Sequence, residues 1–219
     1  MTLSALIFDV DGTLAETEEA HRHAFILAFS QVGLNWNWPP SLYRKLLKVS
    51  GGRERILAYD PDASPELVAA LHRRKTEIYT DMVDSGRVTL RPGVEALIAE
   101  ARAAGVRLAI ASTTSRANVV ALLGHRGAWF EVIACGEDTT RKKPDPQVYS
   151  LVLGKLGLPA ADCLALEDSS NGVRAACAAG VAVVVSESMY TTGDDFSGAL
   201  AVFPNFNGVS LERLRQLHP

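Results

Sequence analysis

The sequence predicts an α/β fold, a doubly wound parallel sheet carrying an inserted all-helical domain, and three observations lead there. From about residue 94 onward, short apolar runs alternate with amphipathic stretches of helical length, the pattern of successive strand–helix units. Residues 16–86 show helical periodicity with no strand between. The length, 219 residues, suits one core of ordinary domain size plus an insertion.

The elements follow in order. Residues 3–8 form a short apolar run, too brief for a helix and ended by the polar stretch 9–13, which fits a buried parallel strand. Ala20, Ala24, Phe25, Ala28, Phe29 and Val32 then share one face of a helix over 16–32, stopped by Gly33. Trp36, Trp38, Pro39 and Pro40 mark a turn, with the tryptophans expected in a small core, and two further helical patterns follow. One opens on Ser64, Pro65 and Glu66, an N-cap with proline at the first helical position, and presents Leu67, Leu71, Ile78 and Met82 on one face. After Arg91, Pro92 and Gly93 come a helix over 94–104, a strand over 107–111, a helix over 115–123 and a strand over 131–134. A helix over 146–156, a strand over 163–167, a helix over 171–179, a strand over 181–185 and a last strand and helix within 200–217 complete the alternation. The predicted division is therefore a core of residues 1–15 plus 88–219 and an insertion of residues 16–87, joined by two thin crossings that suit a hinge.

Composition narrows the function classes. Lys and Arg number 22 against 25 Asp and Glu, a formal charge of −3, so the positive balance that drives phosphate-backbone binding is missing and nucleic acid is not an expected partner. Cys135, Cys163 and Cys177 lie far from any paired metal-ligand spacing and read as reduced thiols. The longest apolar stretch, 178–185, is far short of a membrane span, and Asp9 follows the first apolar run without a basic leader or cleavage site. The expectation is a cytoplasmic protein with no membrane partner.

In an open α/β sheet, ligands collect beyond the carboxyl ends of the strands. There the sequence sets Asp9, Asp11, Gly12 and Thr13, then Ser112, Thr113 and Thr114, then Lys143 and Pro144, then Glu167 and Asp168. Such a set suits phosphoryl transfer from a small ester, which needs an in-line nucleophile, charge neutralisation and a proton donor. Four clustered carboxylates repel one another, so the site calls for a cation, and an oxygen-only donor set favours Mg²⁺. Asp9 is the expected nucleophile, forming an aspartyl phosphate. Asp11, two residues on along an extended chain, returns to the same side to protonate the leaving alkoxide and deprotonate water. Gly12 permits the sharp turn between them.

These four groups, in this order over nearly the whole chain, resemble the four motifs of the haloacid dehalogenase superfamily of phosphohydrolases. The resemblance implies a Rossmann-like core, Asp9 as nucleophile, Asp11 as general acid/base, Ser112 and Lys143 as phosphate clamp, and a Mg²⁺ site of Asp9, Glu167, Asp168 and the Asp11 carbonyl. The inserted helices resemble the small cap of the subgroup that contains phosphoglycolate phosphatase and β-phosphoglucomutase.

Selectivity is then expected from the cap. Ser50, Gly51, Gly52, Arg53, Glu54 and Arg55 form a glycine turn running into a helix, suited to an anion, and Arg73, Arg74 and Lys75 add a second basic cluster. Residues 9–17 with His21, the 36–39 region, Tyr43, residues 51–56 and 91–93 are similar to the xylulose-1,5-bisphosphate phosphatase branch. That resemblance implies substrate contacts from Tyr43, Gly52, Arg53, Arg55 and Lys75, with Thr113 and Thr114 flanking the reacting phosphate. It also implies a sugar phosphate as the small-molecule partner and a monomeric enzyme. His21 suits either a catalytic neighbourhood or a structural helix histidine. A hexose-phosphate mutase, phosphoglycolate hydrolysis and a non-catalytic binding protein of the same fold are the competing readings.

Overall fold

The computed structural model of the chain describes residues 2–219 and places the first strand, β1 (Ala5–Phe8), near the middle of a parallel sheet. All four β1 residues are fully buried, as the uninterrupted apolar run requires of a strand covered on both faces. Four helices follow without a strand between: α1 (Glu18–Gln31), α2 (Pro40–Leu46), α3 (Gly52–Tyr59) and α4 (Pro65–Asp84). The alternating part then runs α5 (Val94–Ala103), β2 (Arg107–Ala111), α6 (Arg116–Leu123), β3 (Val132–Ala134), α7 (Gln147–Leu156), β4 (Cys163–Glu167), α8 (Ser170–Ala178), β5 (Ala182–Ser186), β6 (Ala201–Phe203) and α9 (Leu211–Leu217).

The six strands lie in the order β3-β2-β1-β4-β5-β6, every neighbouring pair parallel. The chain winds outward one way from β1 through β2 to β3, then returns to β4 on the other side. The reversal falls between β1 and β4, where Phe8 pairs with Leu166. The alternation of side chains feeds two layers. Leu6, Phe8, Leu108 and Ile110 pack with α5, α6 and α9, and Ala5, Ile7, Ala109 and Ala111 pack with α7 and α8.

The helical segment has a core of its own. Phe25, Phe29, Tyr43, Ile56 and Leu71 close around fully buried Trp38. Ser64 caps α4 by accepting from the Leu67 amide at 3.2 Å, ahead of Pro65. Two sequence expectations shift. Three helices rather than two follow the tryptophan turn, because α2 and α3 are each short and are parted by Gly51 at φ +96°. The face α4 buries is turned by one residue, onto Val68, Leu71, Lys75, Ile78, Tyr79 and Val83, so that a lysine enters the interior.

Core and helical segment touch beyond the two crossings. Tyr190, in the loop after β5, joins the aromatic core of the helices, its ring edge-on to Tyr43 at 5.5 Å and its hydroxyl bonded to Glu19. Asp194 of the same loop pairs with Lys48 at 3.3 Å.

Candidate active site

The sheet brings Asp9 and Asp168 to the switch point, and the Asp9 amide donates to the Leu166 carbonyl at 2.9 Å. The Lys143 ammonium lies between two acids, donating to Asp9 Oδ1 at 2.6 Å, Glu167 Oε1 at 2.6 Å and the Ala111 carbonyl at 2.8 Å. All three of its protons are therefore used, and its head is fixed in place. Tyr149 donates to the same Glu167 oxygen at 2.7 Å. Carboxylate oxygens of Asp9, Glu167 and Asp168 all lie within 4.8 Å of one another. Two glycines make that crowding possible. A Cβ at Gly12 would collide with the Asp168 carboxylate, and one at Gly172, in the first turn of α8, would collide with that of Glu167.

Burial sets the electrostatics. Loss of water raises the Asp9 carboxyl well above its ordinary value, opposed by Lys143 and reinforced by Glu167. Burial likewise raises Asp168, helped by the charges of Asp9 and Glu167. Burial would pull Lys143 down, yet Asp9 and Glu167 outweigh it and hold the ammonium above its usual range. Three buried carboxylates thus face one lysine, and the missing positive charge, with an all-oxygen donor set, fits a hard divalent cation.

Asp11 occupies a different environment. Its Oδ1 accepts from the Thr17 hydroxyl at 2.6 Å and lies 2.9 Å from His21 Nε2, while His21 Nδ1 lies 2.8 Å from the Lys75 ammonium. Burial would raise the Asp11 carboxyl, but His21, Thr17 and Lys75 outweigh it and hold it well below the usual carboxylate range. Burial, with the Lys75 charge, lowers His21. A neutral ring with its proton on Nε2 satisfies every contact, since Nδ1 then accepts from Lys75 and Nε2 donates to Asp11.

A cleft of about 520 Å³ opens between the strand ends and the helical segment. Of the residues singled out in the sequence, Asp9, Asp11, Ser112, Thr113, Thr114, Lys143 and Asp168 line its floor, and Gly52, Arg55 and Lys75 its roof. Three stand elsewhere. Glu167 is fully buried behind Lys143. Tyr43 lies behind the wall, donating to Glu18 Oε2 at 2.7 Å and accepting from Arg55 Nη1 at 3.0 Å. Arg53 is exposed and lines a separate cleft of about 200 Å³ with Glu137 and Lys142, because the first turn of α3 points successive side chains to different sides. The reading missed Glu18, Arg44, Lys48, Asn171, Arg174 and Tyr190, which also line the large cleft. Glu18 sits one helical turn before His21, a spacing that marks it; Arg174 and Tyr190 reach the cleft through tertiary packing that carries no local signal.

Oxygen nucleophiles beside a saturated lysine, at the switch point of a doubly wound sheet, serve transfer of an anionic group, and the class so defined is the phosphoric-monoester hydrolase. The chain belongs to the haloacid dehalogenase-like hydrolase family, whose sequence pattern matches residues 6–186. It is 48% identical to Protein CbbY of Rhodobacter capsulatus over 99% of this chain and 100% of that one. The crystal structure of CbbY from Rhodobacter sphaeroides in complex with phosphate superposes with a TM-score of 0.94 at 44% identity, covering 98% of this chain and 100% of the other. A mutant of the same protein in complex with xylulose-(1,5)bisphosphate gives a TM-score of 0.94 at 44% identity, covering 97% and 99%.

Proposed function

We propose that the chain removes one phosphate from xylulose 1,5-bisphosphate to leave xylulose 5-phosphate, with residues 16–87 as a cap over a core of residues 1–15 and 88–219. The observation that carries this reading is the single cleft in which Asp9 and Asp11 face a roof bearing Arg44, Lys48 and Arg55. A relative this similar throughout its length was crystallised with the bisphosphate.

In this reading Asp9 attacks phosphorus, the bond from phosphorus to the sugar oxygen breaks, and Asp11, which must carry a proton at that step although His21, Thr17 and Lys75 favour its ionised form, gives that proton to the oxygen. Asp11 then takes a proton from the water that opens the aspartyl phosphate, freeing Asp9 and inorganic phosphate. Ser112 holds a phosphoryl oxygen, Lys143 completes the clamp by its positive charge, its three protons staying on Asp9, Glu167 and Ala111, and the Thr113 and Thr114 segment flanks the group. Asp9, the Asp11 carbonyl, Glu167 and Asp168 are the groups that would hold Mg²⁺, the carboxylate oxygens of Asp9, Glu167 and Asp168 lying within 4.8 Å of one another. When bound, the ion neutralises the negative charge that gathers in the transfer. Gly52, Arg55 and Lys75 meet the rest of the sugar bisphosphate, and Tyr43 acts through Glu18 and Arg55.

Phosphate release over a panel of sugar mono- and bisphosphates, with Mg²⁺ and with a chelator, tests the proposal. The bisphosphate should lead the panel and chelation should stop turnover. Preference for phosphoglycolate, or glucose 6-phosphate formed from β-glucose 1-phosphate, would overturn it.

A further inference from the structure

The run Arg91, Pro92, Gly93 stands at the second crossing between helices and core, and the reaction above gives it no task. Arg91 is nonetheless 9% exposed, and its guanidinium is surrounded by main-chain oxygens. Nη1 donates to the carbonyls of Gly12 and Ser186, and Nη2 to those of Glu187 and Pro204. Its own amide donates to the Leu14 carbonyl at 2.8 Å, and Nε lies 3.9 Å from Glu16 Oε2. Gly93 makes the seat possible: at φ +85°, it lies where a Cβ would strike the Phe206 carbonyl, just past Pro204. A planar fork with fixed donors matches four carbonyls in a way that an ammonium does not.

We infer that Arg91 is a positioning residue acting through Asp11. It grips the Gly12 carbonyl from behind, and Gly12 follows Asp11 directly, so the guanidinium sets the turn that aims the proton-donating carboxylate. The same group ties that turn to the loop after β5, which reaches the cap through Tyr190. Nothing else in the site fixes the Gly12 carbonyl from the rear among the hydrogen bonds of the described residues.

The inference rests on the assignment of Asp11 as acid/base, and its test separates it from the choice of substrate. Arg91→Lys and Arg91→Gln are compared with the unaltered enzyme on xylulose 1,5-bisphosphate and on p-nitrophenyl phosphate, whose leaving group departs without a proton. Rates are taken per folded molecule, with the folded fraction read by circular dichroism. A misaimed donor lowers kcat on the sugar ester by about 10- to 100-fold with KM within about threefold, and leaves the first-turnover release of nitrophenolate within about threefold. Equal losses on both esters, a change in KM alone, no loss, or failure of both variants to fold would make Arg91 a strut of the fold and overturn the inference. If the unaltered enzyme releases no phosphate from the bisphosphate, that substrate falls, and the same ratio is read on whichever sugar phosphate it does hydrolyse.

Discussion

Asp11, on the turn after β1, and His21, on α1, meet at 2.9 Å, so the carboxylate to which the proposal gives the proton transfers is held by the helical segment. Its other holder, Thr17, belongs to the entry crossing. His21→Ala removes one of two donors to Asp11 and strands Lys75. The expected loss in kcat is about 10- to 100-fold. Lys75→Met should cost a similar factor, and the double variant little more than either alone, since both act on one chain of bonds. Additive losses would place the two residues on separate tasks.

Lys75 should also tilt stability with pH. Burial pushes its ammonium down from 10.5 to about 8, with Asp11 opposing. Below pH 8 the folded chain carries the buried charge and its full cost. Between about pH 8 and 10.5 the folded chain has shed a proton that the unfolded chain still binds, so stability rises with pH across that window, by up to about 3 kcal/mol. Urea unfolding at several pH values should show this slope in the unaltered protein and its loss in Lys75→Met. Parallel curves would contradict it.

Asp9→Asn keeps the volume and removes the oxygen to which the proposal gives the attack on phosphorus. Turnover should fall by at least about 10⁴-fold. Thermal stability should hold within about 3 °C, because one of three mutually repelling carboxylates is gone while Lys143 keeps Glu167. Phosphate release at more than a trace, checked against calorimetry on the same sample, would remove Asp9 from that role.

Tyr43 stands behind the cleft wall and meets the cleft only through Glu18 and Arg55. Tyr43→Phe deletes the hydroxyl that joins Glu18 to Arg55, leaving both less well held. A hydrogen bond to a charged group contributes about 1.5–3 kcal/mol, so KM for the bisphosphate should rise roughly tenfold to a hundredfold, with kcat nearly constant. Steady-state kinetics decide, and a fall in kcat at unchanged KM would argue for a role in the chemistry itself.

The sheet was legible because its strands are nearly pure apolar runs ended by polar residues, and β1, β2 and β4 begin or end within about two residues of where the pattern puts them. The catalytic floor was legible for the same reason: Asp9, Ser112 and Asp168 each stand directly after a strand, and geometry carries them to one place. The roof was not. Arg53 and Arg55 are two residues apart, yet one is exposed over a side cleft and the other buried on Tyr43; which side a short helix turns to the site is decided by its packing. Lys75 reads as part of a basic surface cluster but is buried at 4% exposure, because His21 supplies the acceptor that lets a lysine leave water. Tyr190 lies four residues past the end of β5, and only the fold carries it to the helices.

Its ring has a consequence for how the two parts of the molecule hold together. The tyrosine is rooted in one half of the molecule and sits among the aromatics of the other, so the halves cannot part without drawing it from that socket and wetting the faces it shields. The seam between sheet and helices is thus closed by a side chain that the sheet's own loop lends to the other core.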